Sequence, residues 1–349
     1  MINFCTLFNS NYLTRGIALN ESLQRVCASY HLYIIAFDDA CYEYLYNSGI
    51  PNFTVISLAA FEDEKLLAIK PTRNAAEYCW TCTPSALLYC IEKYHLPACT
   101  YIDADLLFYQ DPKILLDEMG GASVLITEHN YTQLYDVSAT HGKYCVQFMC
   151  FKNNINGMTA LKWWRESCLD WCYDRLEDGR FGDQKYLDDW LTRFDGVHVL
   201  RHEGGGVAPW NIQQYTLVNK ADELYIKNKR NQNLFPLIFY HFHGLKFYSN
   251  DWVTCSGVLY EFTGDIKEQI YIPYIKQLVQ IEKKLKKEEG IAWNVSGARS
   301  KAPSKPVTFL QYVKSLLLLI RSGKAASLDI KSFNFNQHYH FYNLNLFKE

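Results

Sequence analysis

The chain has 349 residues, of which 49% are hydrophobic and 15% aromatic. This composition can bury a full core and excludes a disordered or fibrous protein. The formal net charge of −2 provides no overall attraction for nucleic acid, so we expect no nucleic-acid partner.

The cysteines and the apolar runs bear on the compartment. The twelve cysteines lie scattered through apolar or aromatic stretches, which favours reduced, buried thiols over a secreted disulfide framework. The first residues contain no basic segment and no long apolar core before Asn9, so we expect no signal peptide. The apolar run at 315–320 is much shorter than the roughly 20 residues of a membrane-spanning helix. We therefore expect a cytoplasmic protein without a transmembrane segment.

Strand-like and helix-like segments alternate along the N-terminal part of the chain. Apolar, β-prone runs predict strands at residues 2–8, 31–37, 53–58 and 100–102. Apolar residues at helical spacing predict helices at 17–28 and 75–94, the second interrupted near Pro84. Such alternation builds a mostly parallel sheet with helices on both faces, so the predicted fold class is α/β.

Two carboxylates stand where the fourth predicted strand ends, in Tyr101-Ile102-Asp103-Ala104-Asp105. A pair at i and i+2 points the same way from an extended chain, with Ala104 turned toward the core. Ligands of open α/β sheets bind outside the carboxyl ends of the strands, and hard oxygen ligands suit Mg²⁺ or Mn²⁺. A chance Asp-x-Asp in a loop is the alternative. The apolar flanks favour the metal site, because two acids there are costly unless something binds them.

Two further stretches carry candidate site residues. Asn9-Ser10-Asn11-Tyr12 places an aromatic ring beside polar groups, which suits a planar base, although a helix entry capped by Asn11 or Thr14 is the alternative. Phe181-Gly182-Asp183-Gln184-Lys185 has the pattern of a helix start capped by Asp183, with Tyr186, Leu187 and Trp190 on its buried side. We expect the second stretch to be both a cap and a functional element.

Glycine and histidine mark two more stretches. Gly204-Gly205-Gly206 precedes Ala208-Pro209-Trp210-Asn211 and lacks a phosphate-loop pattern, so we expect a mobile loop over the active site. The run Tyr240-His241-Phe242-His243-Gly244-Leu245-Lys246 combines an imidazole acceptable to Mn²⁺ with a lysine, a compact charge for phosphate. Both histidines face the same side of an extended segment, so His243 is the alternative ligand to His241.

These stretches together resemble the GT-A glycosyltransferases, in particular the retaining family of glycogenin and the bacterial lipopolysaccharide galactosyltransferases. The resemblance covers most of residues 1–252. It departs from the family at Lys185, which replaces an aspartate, and before Lys246, where one residue is missing. It also departs at 144–147, where Tyr-Cys-Val-Gln replaces Phe-Asn-x-Gly. Trp80 stands about where the family has an arginine, so Arg73 is expected to take over that role.

The resemblance implies a Rossmann-like GT-A sheet and a role for each matching residue. Tyr12 stacks on uracil, Asp183 positions the sugar, and Gln184 lies near the anomeric carbon. Gly244 lets the backbone approach the diphosphate, and Lys246 neutralises it. The implied catalytic residues are Asp183, Gln184 and Lys246, and the implied metal ligands are Asp103, Asp105 and His241. The implied donor-binding residues are Thr6, Asn9, Asn11, Tyr12, Arg73, Asp103, Ala104, Asp105, Gly244 and Lys246.

The expected activity is that of a hexosyltransferase dependent on Mn²⁺ or Mg²⁺. By the resemblance it moves a sugar from a nucleoside-diphosphate donor, UDP in that family, to a hydroxyl of a glycan or lipid-linked glycan with retention. Such a reaction fits the synthesis of bacterial surface polysaccharide. The alternatives are a sugar-nucleotide nucleotidyltransferase and a catalytically silent sugar-binding protein. The former would need a glycine-rich basic phosphate loop, which the N-terminal sequence lacks.

The C-terminal quarter lies outside the resemblance. We expect a catalytic domain at 1–255 and a mainly helical extension at 256–349. A locally basic stretch before residue 307 contains Lys283, Lys284, Lys286, Lys287, Arg299, Lys301 and Lys305. Apolar residues at helical spacing predict a helix at 307–320. This helix either packs on the catalytic domain or rests on the anionic inner face of a membrane, beside a lipid-linked acceptor.

Overall fold

A seven-stranded sheet forms the centre of the protein. The computed structural model describes residues 1–256, 260–298, 300–301 and 341–347. The strand order is β3-β2-β1-β4-β7-β6-β8. These strands are β1 (Ile2–Phe8), β2 (Tyr30–Ala36), β3 (Phe53–Ser57), β4 (Ala98–Ile102), β6 (Val124–Glu128), β7 (Tyr144–Lys152) and β8 (Val197–Val199). Only β7 runs antiparallel to its neighbours, β4 and β6. The predicted α/β class with a mostly parallel sheet is confirmed.

Helices cover both faces of this sheet. The α-helices among the described residues are α1 (Leu13–Val26), α2 (Asp39–Asn47), α3 (Leu58–Phe61), α4 (Glu64–Ile69), α5 (Ala75–Lys93), α6 (Lys113–Glu118), α7 (Ser138–His141), α8 (Ile155–Asp170), α9 (Trp190–Arg193), α10 (Gly264–Ile266) and α11 (Ile272–Lys287). Alternate residues of β1 point to opposite sides. Phe4 and Phe8 join a buried cluster with α1 and α11, whereas Cys5 and Leu7 join a second cluster with α5 and α8.

Three small sheets flank the central one. The first holds β5 (Leu106–Phe108), β13 (Phe239–His241) and β9 (Gly205–Val207), with β13 in the middle. The second is an antiparallel meander of β10 (Tyr215–Lys220), β11 (Glu223–Asn228) and β12 (Leu234–Pro236). The third holds β14 (Lys246–Tyr248), β15 (Trp252–Thr254) and β16 (Phe341–Asn343).

Gly205 and Gly206 lie in a buried strand and Gly204 directly precedes it, so the prediction of a mobile loop is wrong. Gly205 lies in β9 and pairs with Phe239 of β13. A Cβ atom on Gly204 would stand 2.0 Å from the carbonyl oxygen of Pro236, and one on Gly205 would stand 2.6 Å from Leu115. The glycines therefore permit close packing of one strand against its surroundings.

Two predicted helix features also differ from the structure. Helix α5 continues through Pro84, which is an interior residue, because packing of its buried face outweighs the missing backbone hydrogen bond. The segment after Asp183 is a 3₁₀ helix over Lys185–Asp189 whose N-cap is Gln184 and which has no side-chain cap. The expected capping role of Asp183 is therefore wrong, although Leu187 and Trp190 are buried as predicted. All twelve cysteines are free and eleven are buried, as predicted.

The described part of the C-terminal region packs on the N-terminal part. Helix α11 follows α10 through a π-helical turn at Lys267–Tyr271, and its buried side joins the cluster that contains α1. Strand β16 pairs with β15, and the adjacent Leu344 is buried. Among the described helices none is both long and apolar enough to cross a bilayer. The predicted helix at 307–320 lies outside the described residues, and the boundary near residue 255 stays a prediction.

Candidate functional site

Asp103, Asp105 and His241 come together at the carboxyl end of β4. One ligand atom from each side chain can be chosen so that all lie within 4.8 Å of one another, and among the described residues no other such group of acids, cysteines and histidines is found. The His241 Nε2 atom is 3.2 Å from Asp105 Oδ1 and 3.7 Å from Asp103 Oδ2. The sequence prediction for these three side chains agrees with this geometry.

A turn, rather than an extended chain, makes the two carboxylates converge. The Leu106 amide donates to the Asp103 carbonyl oxygen at 3.2 Å, which closes a turn between β4 and β5. The side chain of Ala104 is buried inside, as expected. Strand β13 then pairs with β5, with His241 opposite Leu106, and the Phe242 amide donates to the Asp105 carbonyl oxygen at 3.0 Å. Backbone pairing therefore brings the histidine to the acids.

Neighbouring polar groups hold two of these side chains. The Tyr101 hydroxyl donates to Asp103 Oδ1 at 2.9 Å. The His241 Nδ1 atom lies 2.8 Å from Gln147 Oε1. Trp210 packs edge-on against the His241 ring with 5.3 Å between ring centroids, and its indole donates to the His129 carbonyl oxygen at 2.9 Å. The sequence pattern did not predict that Gln147 contacts His241.

The charges in the cluster depend on one another. Burial raises the pKa of Asp103 to about 6, and the nearby charge of Asp105 acts in the same direction. Burial by itself would raise the pKa of Asp105. The charge of His241 and its hydrogen bond outweigh this effect and lower the Asp105 pKa to about 2. Burial lowers the pKa of His241, yet the charge of Asp105 outweighs this effect and raises it well above its usual value. The three groups therefore share protons that a bound cation would displace.

The chemistry of these donors fits a divalent cation. Two carboxylates and one imidazole are ligands that Mn²⁺ and Mg²⁺ accept, with positions left over for water or phosphate. Acids held this close in a buried setting repel each other unless protons or a metal compensate. The cluster could therefore hold the ion that the sequence predicts.

The chain turns away from the cluster after His241. The Leu245 amide donates to the Phe242 carbonyl oxygen at 3.1 Å, and Gly244 has a positive φ of 76°. His243 lies outside the three-residue cluster, with its ring centroid 5.6 Å from that of His241. Burial, followed by the charge of His241, lowers the pKa of His243 to about 4. Lys246 opens β14, is exposed, and holds its Nζ 5.2 Å from the Tyr248 ring centroid.

The residues after β1 are those that the sequence predicts to bind the nucleotide, and this role stays a prediction. Asn9 Oδ1 accepts the Asn11 amide at 3.1 Å and starts a short 3₁₀ helix that leads into α1. The Tyr12 ring is 39% exposed, yet burial raises the pKa of its phenol and the charges of Asp105 and Asp103 add to this rise. Thr6 is fully buried in β1, and within the described residues its hydroxyl makes no hydrogen bond.

Arg15, like Gln147, lies near the site but was not predicted from the sequence. Its side chain is buried, with 3% exposure. The guanidinium lies 4.5 Å from the Tyr12 ring centroid and donates to the carbonyl oxygens of Leu245 and Ser296 at 2.9 and 3.1 Å. Its charge helps to lower the pKa of Asp105, after the larger effects of burial and the two histidines. It therefore places a fixed positive charge under the site.

Asp183, Gln184 and Arg73 lie on other segments. Asp183 is buried with 6% exposure, and burial, followed by the charge of Asp103, raises its pKa to about 8. Gln184 Nε2 donates to the His141 carbonyl oxygen at 2.9 Å. Arg73 lies 3.8 Å above the Tyr173 ring centroid and donates to Thr72 and Leu169. The roles of all three residues stay predictions.

The chain is similar to proteins of known sequence. No family model matches it. The uncharacterized protein YfnD of Bacillus subtilis (strain 168) is 31% identical over 284 residues, which are 79% of this chain and 88% of YfnD. The uncharacterized protein YfnF of the same strain is 32% identical over 254 residues, which are 70% of this chain and 82% of YfnF.

Among solved structures, the chain is similar to several glycosyltransferases. The galactosyltransferase LgtC, solved with donor and acceptor sugar analogs, has a TM-score of 0.45 at 12% identity, over 80% of this chain and 96% of LgtC. Mouse xyloside xylosyltransferase 1 has a TM-score of 0.39 at 15% identity, over 57% of this chain and 84% of that one. The glycosyltransferase GlyE of Streptococcus pneumoniae TIGR4 has a TM-score of 0.35 at 14% identity, over 59% of this chain and 46% of GlyE.

Proposed function

We propose that this chain, which belongs to the same family as YfnD and YfnF of Bacillus subtilis, is a metal-dependent GT-A glycosyltransferase. It moves a sugar from a nucleoside-diphosphate donor, with UDP as the nucleotide, to a hydroxyl of a glycan acceptor. The observation that carries the proposal is the convergence of Asp103, Asp105 and His241 at the carboxyl end of a central strand. Ligands of open α/β sheets bind at that edge.

The residues around the cluster suit a nucleoside diphosphate. Asp103, Asp105 and His241 would hold the Mn²⁺ or Mg²⁺ ion, which supplies Lewis-acid charge to the departing diphosphate. Lys246 and the buried Arg15 contribute positive charge to the same region. The Tyr12 ring, which is 39% exposed, offers a flat apolar face on which a base can stack. Asn9 and Asn11, in the turn before that ring, are the proposed hydrogen-bonding partners of the donor, and Thr6, which is fully buried in β1, would support them from behind.

Asp183 and Gln184 are proposed to act on the sugar. Asp183, whose pKa is raised to about 8 by burial and then by Asp103, stays protonated at neutral pH and can donate a hydrogen bond to a sugar oxygen. Gln184 uses its amide nitrogen for His141, which leaves its amide oxygen to face the anomeric carbon. No carboxylate is assigned as an inverting base, so the proposed stereochemical outcome is retention. The acceptor hydroxyl would attack the anomeric carbon from the leaving-group side as the bond to the diphosphate breaks, and the departing phosphate oxygen would take the hydroxyl proton.

Two neighbouring polar cavities support a glycan as the acceptor. Two cavities of about 560 and 470 Å³ share Glu128, Asn130 and Gln214 as lining residues. The second cavity is also lined by Ser138 and Asp188. Ser138 begins α7, and Gln184 donates to the carbonyl oxygen of His141 at the end of the same short helix, so this cavity lies close to Gln184. Amides and carboxylates of this kind hydrogen-bond sugar hydroxyls. The cavities have the size of ligand sites.

A lipid-linked glycan is the proposed form of this acceptor, as in the synthesis of bacterial surface polysaccharide. The apolar side of α11 is covered by the protein, so α11 itself does not insert into lipid. The predicted helix at 307–320 is the proposed contact with the inner face of the membrane. Basic residues before it would strengthen attraction to anionic lipid.

Donor hydrolysis tests the activity. The full chain is incubated with UDP-glucose, UDP-galactose and GDP-mannose, each with MnCl₂ or with EDTA, and release of nucleoside diphosphate is measured. We expect release from a UDP-sugar with Mn²⁺ and none with EDTA. Consumption of nucleoside triphosphate with release of pyrophosphate would instead indicate a nucleotidyltransferase. Ligand-dependent thermal stabilisation without any turnover would indicate a silent sugar-binding protein.

A further inference from the structure

Gln147 contacts both arms of the candidate metal site. It lies in the middle of β7 with 0% exposure. Its backbone carbonyl oxygen accepts the Asp103 amide at 3.1 Å, at the end of the strand that carries the acids. Its side-chain Oε1 lies 2.8 Å from His241 Nδ1. One residue thus joins the two segments that supply the proposed ligands.

The side-chain contact decides which histidine nitrogen can bind a cation. An amide oxygen is an acceptor only, so the Nδ1 atom of His241 must carry the proton in this hydrogen bond. The lone pair of the neutral ring is then on Nε2, the nitrogen that lies 3.2 Å from Asp105 Oδ1. Histidine ligands of metals generally donate their other ring N–H to such an acceptor, which fixes the tautomer and the ring orientation.

We propose that Gln147 is a positioning residue of the metal site, which sets the tautomer and orientation of His241 and thereby the affinity for the divalent cation. This inference rests on the proposed function of the Asp103, Asp105 and His241 cluster. It concerns a position at which the sequence departs from the retaining family, because Gln147 stands where that family has glycine.

A purely structural role does not explain this glutamine. Within the described residues its Nε2 atom is buried without a hydrogen-bond partner, which costs free energy that an apolar residue of similar size would not incur. A Cβ atom on Gly206 would lie 3.4 Å from that Nε2 atom, so the glycine of β9 leaves room for the amide. The amide nitrogen therefore does not stabilise the fold through a hydrogen bond, and the amide oxygen is the atom that contacts the site.

Calorimetric titration of Mn²⁺ into the metal-stripped full chain tests the proposal. Gln147→Leu removes the acceptor at similar volume, whereas Gln147→Glu keeps an acceptor for Nδ1–H. We expect Gln147→Leu to weaken Mn²⁺ binding by about 10- to 100-fold, the effect typical of losing such an outer partner. Gln147→Glu should bind at least as tightly as the wild type. If Gln147→Leu binds Mn²⁺ within about threefold of the wild-type affinity, the positioning role of Gln147 is overturned, whereas the proposed metal site is not.

A measurement on the unmodified chain covers the case in which a variant fails to fold. Long-range ¹H–¹⁵N spectra of the histidine rings are recorded with Mg²⁺, which is diamagnetic, and the His241 signals are assigned with His241→Ala. We expect His241 to be protonated at Nδ1 and not at Nε2. Protonation at Nε2 would overturn the proposal. Wild-type protein that binds neither ion in either experiment would instead refute the metal site and with it the proposed function.

Discussion

Arg15 Nη2 donates a hydrogen bond of 2.9 Å to the carbonyl oxygen of Leu245, a residue 230 positions later in the chain. Its Nη1 atom binds the carbonyl oxygen of Ser296 in the same way at 3.1 Å. The Thr14 amide, in the first turn of α1, donates to the Val295 carbonyl oxygen at 3.2 Å. The start of α1, the turn before Lys246 and the segment around Ser296 are therefore fastened together beneath Tyr12.

Arg15→Met should loosen this junction. The two carbonyl oxygens lose a buried donor, and each buried acceptor left unpaired costs about 1–3 kcal/mol. We expect a lower free energy of unfolding in urea and weaker binding of UDP, because Tyr12 and Lys246 lose their common support. Arg25→Met is the matched control, since Arg25 is exposed near the other end of α1 and donates to a single carbonyl oxygen, that of Phe108 at 3.1 Å, outside this junction. An equal loss in both variants would argue against the junction.

Asp103→Asn and Asp105→Asn should abolish Mn²⁺-dependent release of UDP while the chain stays folded. Loss of a few kcal/mol of leaving-group stabilisation corresponds to a fall in rate of about a hundredfold or more. Chelation of the wild type with EDTA should produce the same loss, and added Mn²⁺ should reverse it. Asp117→Asn, which changes an exposed acid paired with Lys113, serves as the control. Turnover near the wild-type rate in both cluster variants would refute the metal assignment.

His241→Ala should weaken Mn²⁺ binding far more than His243→Ala. Only His241 lies with both acids in the cluster, and loss of a direct ligand should exceed the roughly 10- to 100-fold effect of losing an outer partner. His243→Ala should stay within a few-fold of the wild type. Titration calorimetry with Mn²⁺ distinguishes the two variants. The reverse order would mean that the binding nitrogen belongs to His243.

Local sequence predicted that Asp103, Asp105 and His241 belong to one metal site, because their residue types suit a cation and the apolar strands beside them place them at strand ends. It predicted the wrong local geometry at Asp103 to Asp105, where a turn replaces the extended chain. Gln147 could not be found from the sequence, because its partner His241 is 94 residues away and only the pairing of separate strands brings them together. Arg15 was missed for the same reason.

The three consecutive glycines show a second reason why local sequence does not determine structure. A run of glycines is compatible with a flexible loop and with a tightly packed strand, and the choice depends on what surrounds it. At Gly204 and Gly205 the surroundings are Pro236 and Leu115, close enough to exclude any Cβ atom. Such tertiary contacts are not encoded in the three residues themselves.

Asp183 should make the metal-free protein less stable as the pH rises. Its folded pKa is raised to about 8 by burial and then by the charge of Asp103, whereas an unfolded aspartate titrates near pH 4. The folded state therefore binds more protons between these values, and its stabilising contribution is present below about pH 4 and lost as the pH rises through 8. Asp183→Asn cannot ionise.

Urea midpoints of the wild type and Asp183→Asn, measured in EDTA at pH 5 and pH 8.5, check this sign. We expect the variant to gain stability relative to the wild type at the higher pH. Titrating groups that do not interact with Asp183 are present in both proteins, so their contributions cancel to first order, whereas Asp103, whose charge acts on Asp183, is part of the measured difference. A stability difference that does not change with pH would contradict a raised pKa for Asp183.

Membrane contact through residues 307–320 can be tested without disturbing the fold. Deleting residues 301–349 would also remove β16 and the buried Leu344, so a lost interaction could reflect unfolding. The double variant Leu316→Glu and Leu317→Glu instead places charge on the apolar side of the predicted helix and keeps β16. We expect the wild type to float with anionic phosphatidylglycerol vesicles, since nearby Lys and Arg contribute about 1 kcal/mol each.

The variant should lose this flotation while its urea midpoint stays close to that of the wild type. Ile155→Glu is the control for added negative charge, because Ile155 is 81% exposed in α8. Salt of about 0.5 M should weaken flotation of the wild type, since charge attraction to the lipid surface is screened. A wild type that does not float, or a variant that floats as well as the wild type, would rule out lipid contact by this segment. The same two leucines would then be expected to pack on the protein, in which case the variant lowers the urea midpoint instead.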